Sequence, residues 1–122
     1  MTFKEIEKII INNIKVLTNQ SYSIFSGPLP LSSKKGISLT LKNADLGSWP
    51  SSCLVFTMTL RSNDRDELLD HATTLRKVFN HTLPEGVITE VPEQDFFIEG
   101  VKGAFKWSWE SSFDLKVTAI KK

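Results

Sequence analysis

Two histidines, one cysteine and a run of carboxylates are the reactive side chains of this sequence, so their spacing decides what chemistry it offers. His71 and His81 stand ten residues apart, which is about 1000° of helical rotation and roughly 80° out of register. They do not converge on one metal ion, and neither has a second nitrogen or sulfur ligand beside it, so both read as surface or helix-end histidines. Cys53 lies inside an apolar run and reads as a buried structural thiol, not a nucleophile. Glu90, Glu93, Asp95 and Glu99 gather across a turn. They lack the ladder of oxygen ligands and the fixed glycine of a calcium loop, so a solvated acidic hairpin is expected. Gly47, Gly86, Gly100 and Gly103 form no phosphate-binding fingerprint. No catalytic, cofactor-binding or metal residue is assigned, and a non-enzymatic chain without a cofactor is expected.

Binding chemistry has three candidates. Trp107 and Trp109 share a period-two face with Phe105 and Phe113, which suits either a stacking platform for bases or sugars or a packed core. The alternate positions Lys106, Glu110, Asp114 and Lys116 mix signs, whereas a nucleic-acid platform is basic around its aromatics. Core is therefore the expectation. Lys34 and Lys35, in a long Pro- and Gly-containing loop, read as solvated lysines or as a basic docking arm. Trp49, in a second long connection, joins them as a candidate partner contact.

The elements that would position these residues are legible from periodicity. Thr2 and Glu5 have the spacing of a capping box, and Phe3, Ile6, Ile10, Ile14 and Leu17 form one helical stripe. Tyr22 to Phe25 reads as a short strand, Ser26 to Gly36 as a loop of about eleven residues, and Ile37 to Leu41 as a second strand. Cys53 to Arg61 carries no charge on either face before its end, so a central strand covered on both sides is expected. Ser62-Asn63-Asp64 supplies helix caps, and Leu68, Ala72, Leu75 and Phe79 make the next stripe, from Asp64 to Phe79. Its acidic residues fall early and its basic ones late, complementing the helix dipole. Val87 to Val91 and Phe96 to Val101 read as strands separated by Pro92 to Asp95. From Phe105 to Thr118, six of seven odd positions are large and apolar and every even one is polar, the signature of a single strand.

The resulting order, α-β-β-β-α-β-β-β, argues for an α+β domain: a mostly antiparallel sheet packed by two helices, spanning 1–122 and closing with a long C-terminal strand. At about 3.3 Å per residue that strand spans about 45 Å, against a domain diameter near 35 Å. It must bend, bulge or protrude. Ser111-Ser112, the gap in its apolar face, is where a bend or bulge is expected, with core before it and Phe113, Leu115 and Val117 after it as candidate subunit contacts. Fifteen basic and fourteen acidic residues give a net charge of +1, which argues against a general grip on nucleic acid or anionic lipid. No apolar run reaches the length of a membrane span, and acidic residues near the N-terminus interrupt any signal-peptide pattern. A single cysteine leaves no intramolecular disulfide and favours synthesis in a reducing cytosol.

This arrangement resembles the small tail-terminator and tail-completion proteins of long-tailed bacteriophages, a group overlapping the minor capsid proteins. The matching stretches are Phe3 to Leu17, Ile37 to Leu41, Cys53 to Arg61, Asp64 to Phe79 and Phe105 to Thr118. The resemblance is one of order and pattern and carries no catalytic motif. It implies a virion protein made in a bacterial host, a subunit of a ring, commonly a hexamer, that caps the tail tube and joins it to the head. Its partners would be copies of itself, the tail tube protein and the head-connector protein, without membrane or sequence-specific nucleic acid. The Ser26 to Gly36 loop would order on assembly. Two other readings stand beside it: a bacterial adaptor or immunity-type binding module, and a small enzyme or ligand-binding α+β domain.

Overall fold

In the computed structural model the described residues are 3–30, 35–45, 51–80, 83, 86–91, 99–102 and 107–120. They form α1 (Phe3–Leu17), β1 (Ser23–Ser26), β2 (Gly36–Asp45), β3 (Ser51–Ser62), α2 (Arg65–Val78), β4 (Ile88–Glu90), β5 (Glu99–Lys102) and β6 (Trp107–Ile120). The element order and the α+β class are those expected. Six strands make one sheet in the order β1-β2-β3-β6-β4, with β5 also paired to β6. All pairings are antiparallel except β1–β2, which is parallel. A parallel neighbour requires the chain to travel back before it pairs. β1 has only four residues, so the short crossover of residues 27–35 suffices.

Both helices lie on one face of the sheet. Ile6, Ile10 and Ile14 of α1 and Leu68, Ala72 and Leu75 of α2 pack with Leu54, Phe56, Met58 and Leu60 of β3, all nearly or fully buried. The other face of β3, at Cys53, Val55, Thr57 and Thr59, is only half-buried. β3 is central, but it is covered on one side and not on both. Its opposite face is finished by directly facing polar pairs: Arg61 with Glu110, Thr59 with Ser112, and Thr57 with Asp114. Uncharged threonines on that face satisfy themselves across the strand, which is why the sequence pattern there looks like burial.

The length of β6, 14 residues, is absorbed by a neighbour of 12 residues. β3 pairs with it without interruption from Ser51↔Ile120 to Ser62↔Trp109. The bulge expected at Ser111-Ser112 does not form. Ser111 is 2% exposed and stands across from Leu60, while the Ser112 hydroxyl meets Thr59 Oγ1 at 2.9 Å. Both serines are accommodated in register. The irregularity sits instead in β2, between Leu41 and Asn43.

β4 and β5 do not form a hairpin with one another. Each pairs antiparallel with β6, at Glu90↔Lys116 and Glu99↔Glu110, so they are two collinear pieces of one edge. Nine residues of chain advance along six of β6 between these points. Glu93 and Asp95 of the expected acidic turn lie outside the described residues.

The caps are local. Asp64 accepts from the Asp66 and Glu67 amides at 3.0 and 3.2 Å, as its position predicts. α1 ends in two residues of positive φ, Asn19 (53°) and Gln20 (56°), with the Gln20 amide returning to the Lys15 carbonyl at 2.8 Å. Thr2, the expected cap of α1, lies outside the described residues.

Candidate functional site

Four strand positions line up across one end of the sheet on the helix-covered face. Ser62 faces Trp109. Lys35 and Tyr22 immediately precede the paired residues Gly36 and Ser23. The apolar core gives way here to polar groups, and the first two turns of α2 lie over them.

Glu67 and His71, one turn apart on α2, reach this row. Lys35 Nζ forms an ion pair with Glu67 Oε1 and stands 4.8 Å from the centre of the Tyr22 ring. The Tyr22 hydroxyl is 2.8 Å from His71 Nδ1, and the two rings meet edge to face at 5.2 Å. Glu67 Oε1 lies 3.9 Å from the same Nδ1. In a capping box Glu67 would reach back to the Asp64 amide. That amide instead donates to Ser62 Oγ at 3.1 Å, leaving Glu67 free to take Lys35.

A backbone N–H can only donate, so Ser62 Oγ accepts from the Asp64 amide, and it also hydrogen-bonds the Tyr22 hydroxyl. The Tyr22 hydroxyl and His71 Nδ1 share one hydrogen bond whose donor is set by the imidazole tautomer. Burial first, and then the Glu67 carboxylate, push the Tyr22 phenol well above the ordinary tyrosine range, against a smaller pull from the Ser62 hydrogen bond. Tyr22 is thus held as the neutral phenol. The cluster relays orientation from the α2 cap to His71, and it clasps α2 to Tyr22 ahead of β1 and to Lys35 at the end of the β1–β2 crossover.

A second polar group fastens the same crossover from the other face. Arg61, 5% exposed, pairs with Glu110 Oε2 through Nη2 at 2.7 Å and Nε at 2.9 Å. Its Nη1 donates to the Pro30 carbonyl at 2.7 Å. The guanidinium fork thereby satisfies a carboxylate and a loop carbonyl together.

The expected site residues are distributed differently from their sequence reading. Lys35, read as a solvated or docking lysine, is partly exposed and held within the chain by Glu67 and Tyr22. Lys34 and Trp49 lie outside the described residues, as does His81. Phe113, Leu115 and Val117 are 2%, 0% and 0% exposed and belong to this chain's own core. Their side chains are not a subunit surface, because β3 flanks that half of β6 throughout and β4 adds to it at residues 116–118. Trp109, expected in the core, is instead 37% exposed, with the Arg65 guanidinium 5.8 Å from its ring. Here the core face runs past the helix that covers it. The crossover's described ends, at Pro30 and Lys35, are already tied within the single chain. His71 was read as a surface residue because its main partner, Tyr22, stands 49 residues away. Only the i,i+4 spacing of Glu67 and His71 could have flagged the site.

Among the described residues no group of three or more His, Cys, Asp or Glu is placed to hold a metal ion, and no helix is long and apolar enough to cross a membrane. No protein-family model matches the chain, and no curated protein sequence does so either.

Proposed function

We propose that this chain is a structural assembly protein of a phage or prophage, a tail-terminator-like ring subunit that caps the tail tube and joins it to the head. The observation that carries the reading is the element order. An N-terminal amphipathic helix precedes three strands, a helix follows the third, and a 14-residue strand closes the sheet. The one-sided sheet supports it as well, since the helices and the open polar ladder of β3 and β6 give the subunit two faces of different character. The function is mechanical: heterologous contacts close a ring, ring closure stops tube growth, and the closed ring offers a docking surface to the head connector.

Solution mass tests this directly. The monomer is 13.8 kDa, and light scattering over a concentration series is expected to show a closed species of fixed mass, about 83 kDa for a hexamer. Monomer mass at every concentration, with and without tail tube protein, overturns the reading. The Tyr22–Glu67–His71 cluster favours one rival, a small ligand-binding domain. That rival predicts that ligand screening shifts the ring resonances of His71 or Tyr22 in a protein that stays monomeric.

A further inference from the structure

Each helix carries, on its outer face, a pair of like charges one turn apart, and the two pairs are opposite in sign. On α1, Lys4 and Lys8 are exposed, with Lys15 on the same meridian: Lys8 is about 40° and Lys15 about 20° from Lys4 around the helix. On α2, Asp66 and Asp70 are exposed in the same i,i+4 relation, with the exposed Lys77 about 20° from Asp66 further along the helix. None of these six side chains has an ion-pair or hydrogen-bond partner among the described residues.

Like charges at i,i+4 repel and weaken the helix that carries them. Lys4 adds a second local cost, because it places a cation in the first turn, at the positive end of the helix dipole. Three charge pairs meet across elements among the described residues, at Lys35–Glu67, Lys42–Asp114 and Arg61–Glu110, while Glu7, Glu90 and Lys116 stand without an ion pair there as the two helix pairs do. Only the pairs Lys4/Lys8 and Asp66/Asp70 are opposite in sign; equally spaced at about 6 Å along each helix, these two pairs are complementary to each other. They lie on different helices, so they can meet only between molecules or by refolding one.

We propose that neighbouring copies of this chain meet through these faces, the α1 lysines of one copy against the α2 aspartates of the next. This rests on the ring reading above and names the contact that would close the ring. Two different patches, one on each side of the subunit, are what a heterologous, cyclic interface needs. A near-neutral chain with locally segregated charge favours a copy of itself over a polyanion, which would meet the aspartates as well as the lysines.

The test is charge reversal with reassembly by mixing. Lys4→Glu with Lys8→Glu makes one variant, and Asp66→Lys with Asp70→Lys makes the other; circular dichroism and urea midpoints verify that both fold. Each variant alone is expected to fall to the 13.8 kDa monomer under conditions in which the wild type is oligomeric. An equimolar mixture is expected to recover the wild-type mass, because every contact in an alternating ring is then restored. A wild type that stays oligomeric while both folded variants keep its mass overturns this contact and leaves the ring reading standing. A wild type that is monomeric throughout overturns both. Monomeric variants that do not recover on mixing also overturn the pairing, as does a wild type whose lysine stripe instead retains anionic vesicles or DNA fragments at physiological salt. Should the purified α2 variant not fold, Asp66→Asn with Asp70→Asn replaces it, and the expected result is a partial loss of mass that the α1 variant does not restore.

Discussion

Tyr22 is where a single hydroxyl joins the most groups, hydrogen-bonding both Ser62 and His71 while its ring lies under Lys35. Its phenol ionises above the ordinary value near 10, so the folded chain holds a proton that the unfolded chain gives up. The sign follows from linkage: this contribution is complete below about pH 10 and is lost as pH rises beyond it. Tyr22 is the only tyrosine, so phenolate absorbance reports on it alone. That absorbance is expected to rise together with the loss of helical circular dichroism at alkaline pH, and not ahead of it. Tyr22→Phe removes the alkaline limb and at neutral pH lowers stability by about 1–3 kcal/mol, since Ser62 and His71 lose their shared partner. An unchanged urea midpoint in that variant would sink the relay. At this scale the sequence was least informative, because the groups gathered around Tyr22 stand just before β2, at the end of β3 and on α2, and no spacing within α2 could reveal Tyr22 or Ser62.

The strand β6 shows what periodicity can and cannot settle. Its alternation correctly placed Phe113, Leu115 and Val117 on an apolar face, just as period 3.6 placed Ile6, Ile10 and Ile14. Alternation cannot say how far along a face the covering helix extends, nor which neighbour makes a long strand affordable. The helix-covered stretch therefore runs through Phe113 and fails at Trp109, the reverse of the order inferred from the serine gap. The two sides of that gap are expected to respond differently to truncation. Phe113→Ala should cost about 3–5 kcal/mol by emptying a closed site, whereas Trp109→Ala should cost about 1 kcal/mol, because that ring keeps much of its contact with water. Chemical denaturation of the two variants checks this, and equal losses would contradict the exposure difference. The same limit explains β4 and β5. Two strand-like runs separated by a Pro-containing acidic stretch look like a hairpin in one dimension. That both pair with β6 is a fact about a third segment.

For the molecule as a whole, the sheet is ordered by non-local pairings: β3 and β6 meet between residues up to 69 apart, at Ser51↔Ile120. Helix count, strand count and class could be read from local pattern because each is a local property. The parallel β1–β2 pairing could not, since it depends on where the crossover goes. Arg61 holds one end of that route, and losing it leaves a half-buried carboxylate and a loop carbonyl without their partner. Arg61→Ala is expected to cost about 3 kcal/mol, while the joint replacement Arg61→Met with Glu110→Met costs less, because no unpaired charge then remains. A double-mutant cycle measured by urea denaturation decides it, and additive losses would show that the pair is uncoupled. The two fastenings of the crossover act from opposite faces, Pro30 to Arg61 on the open side and Lys35 to Glu67 on the helix side. Covalent continuity between them is therefore redundant for holding α1 and β1 in place. A chain opened between Leu31 and Lys34 should behave as two complementing fragments, the shorter retained by the core residues of α1, the β1–β2 ladder and the guanidinium bond. That makes this crossover a place at which the protein can be split and still reassemble its sheet.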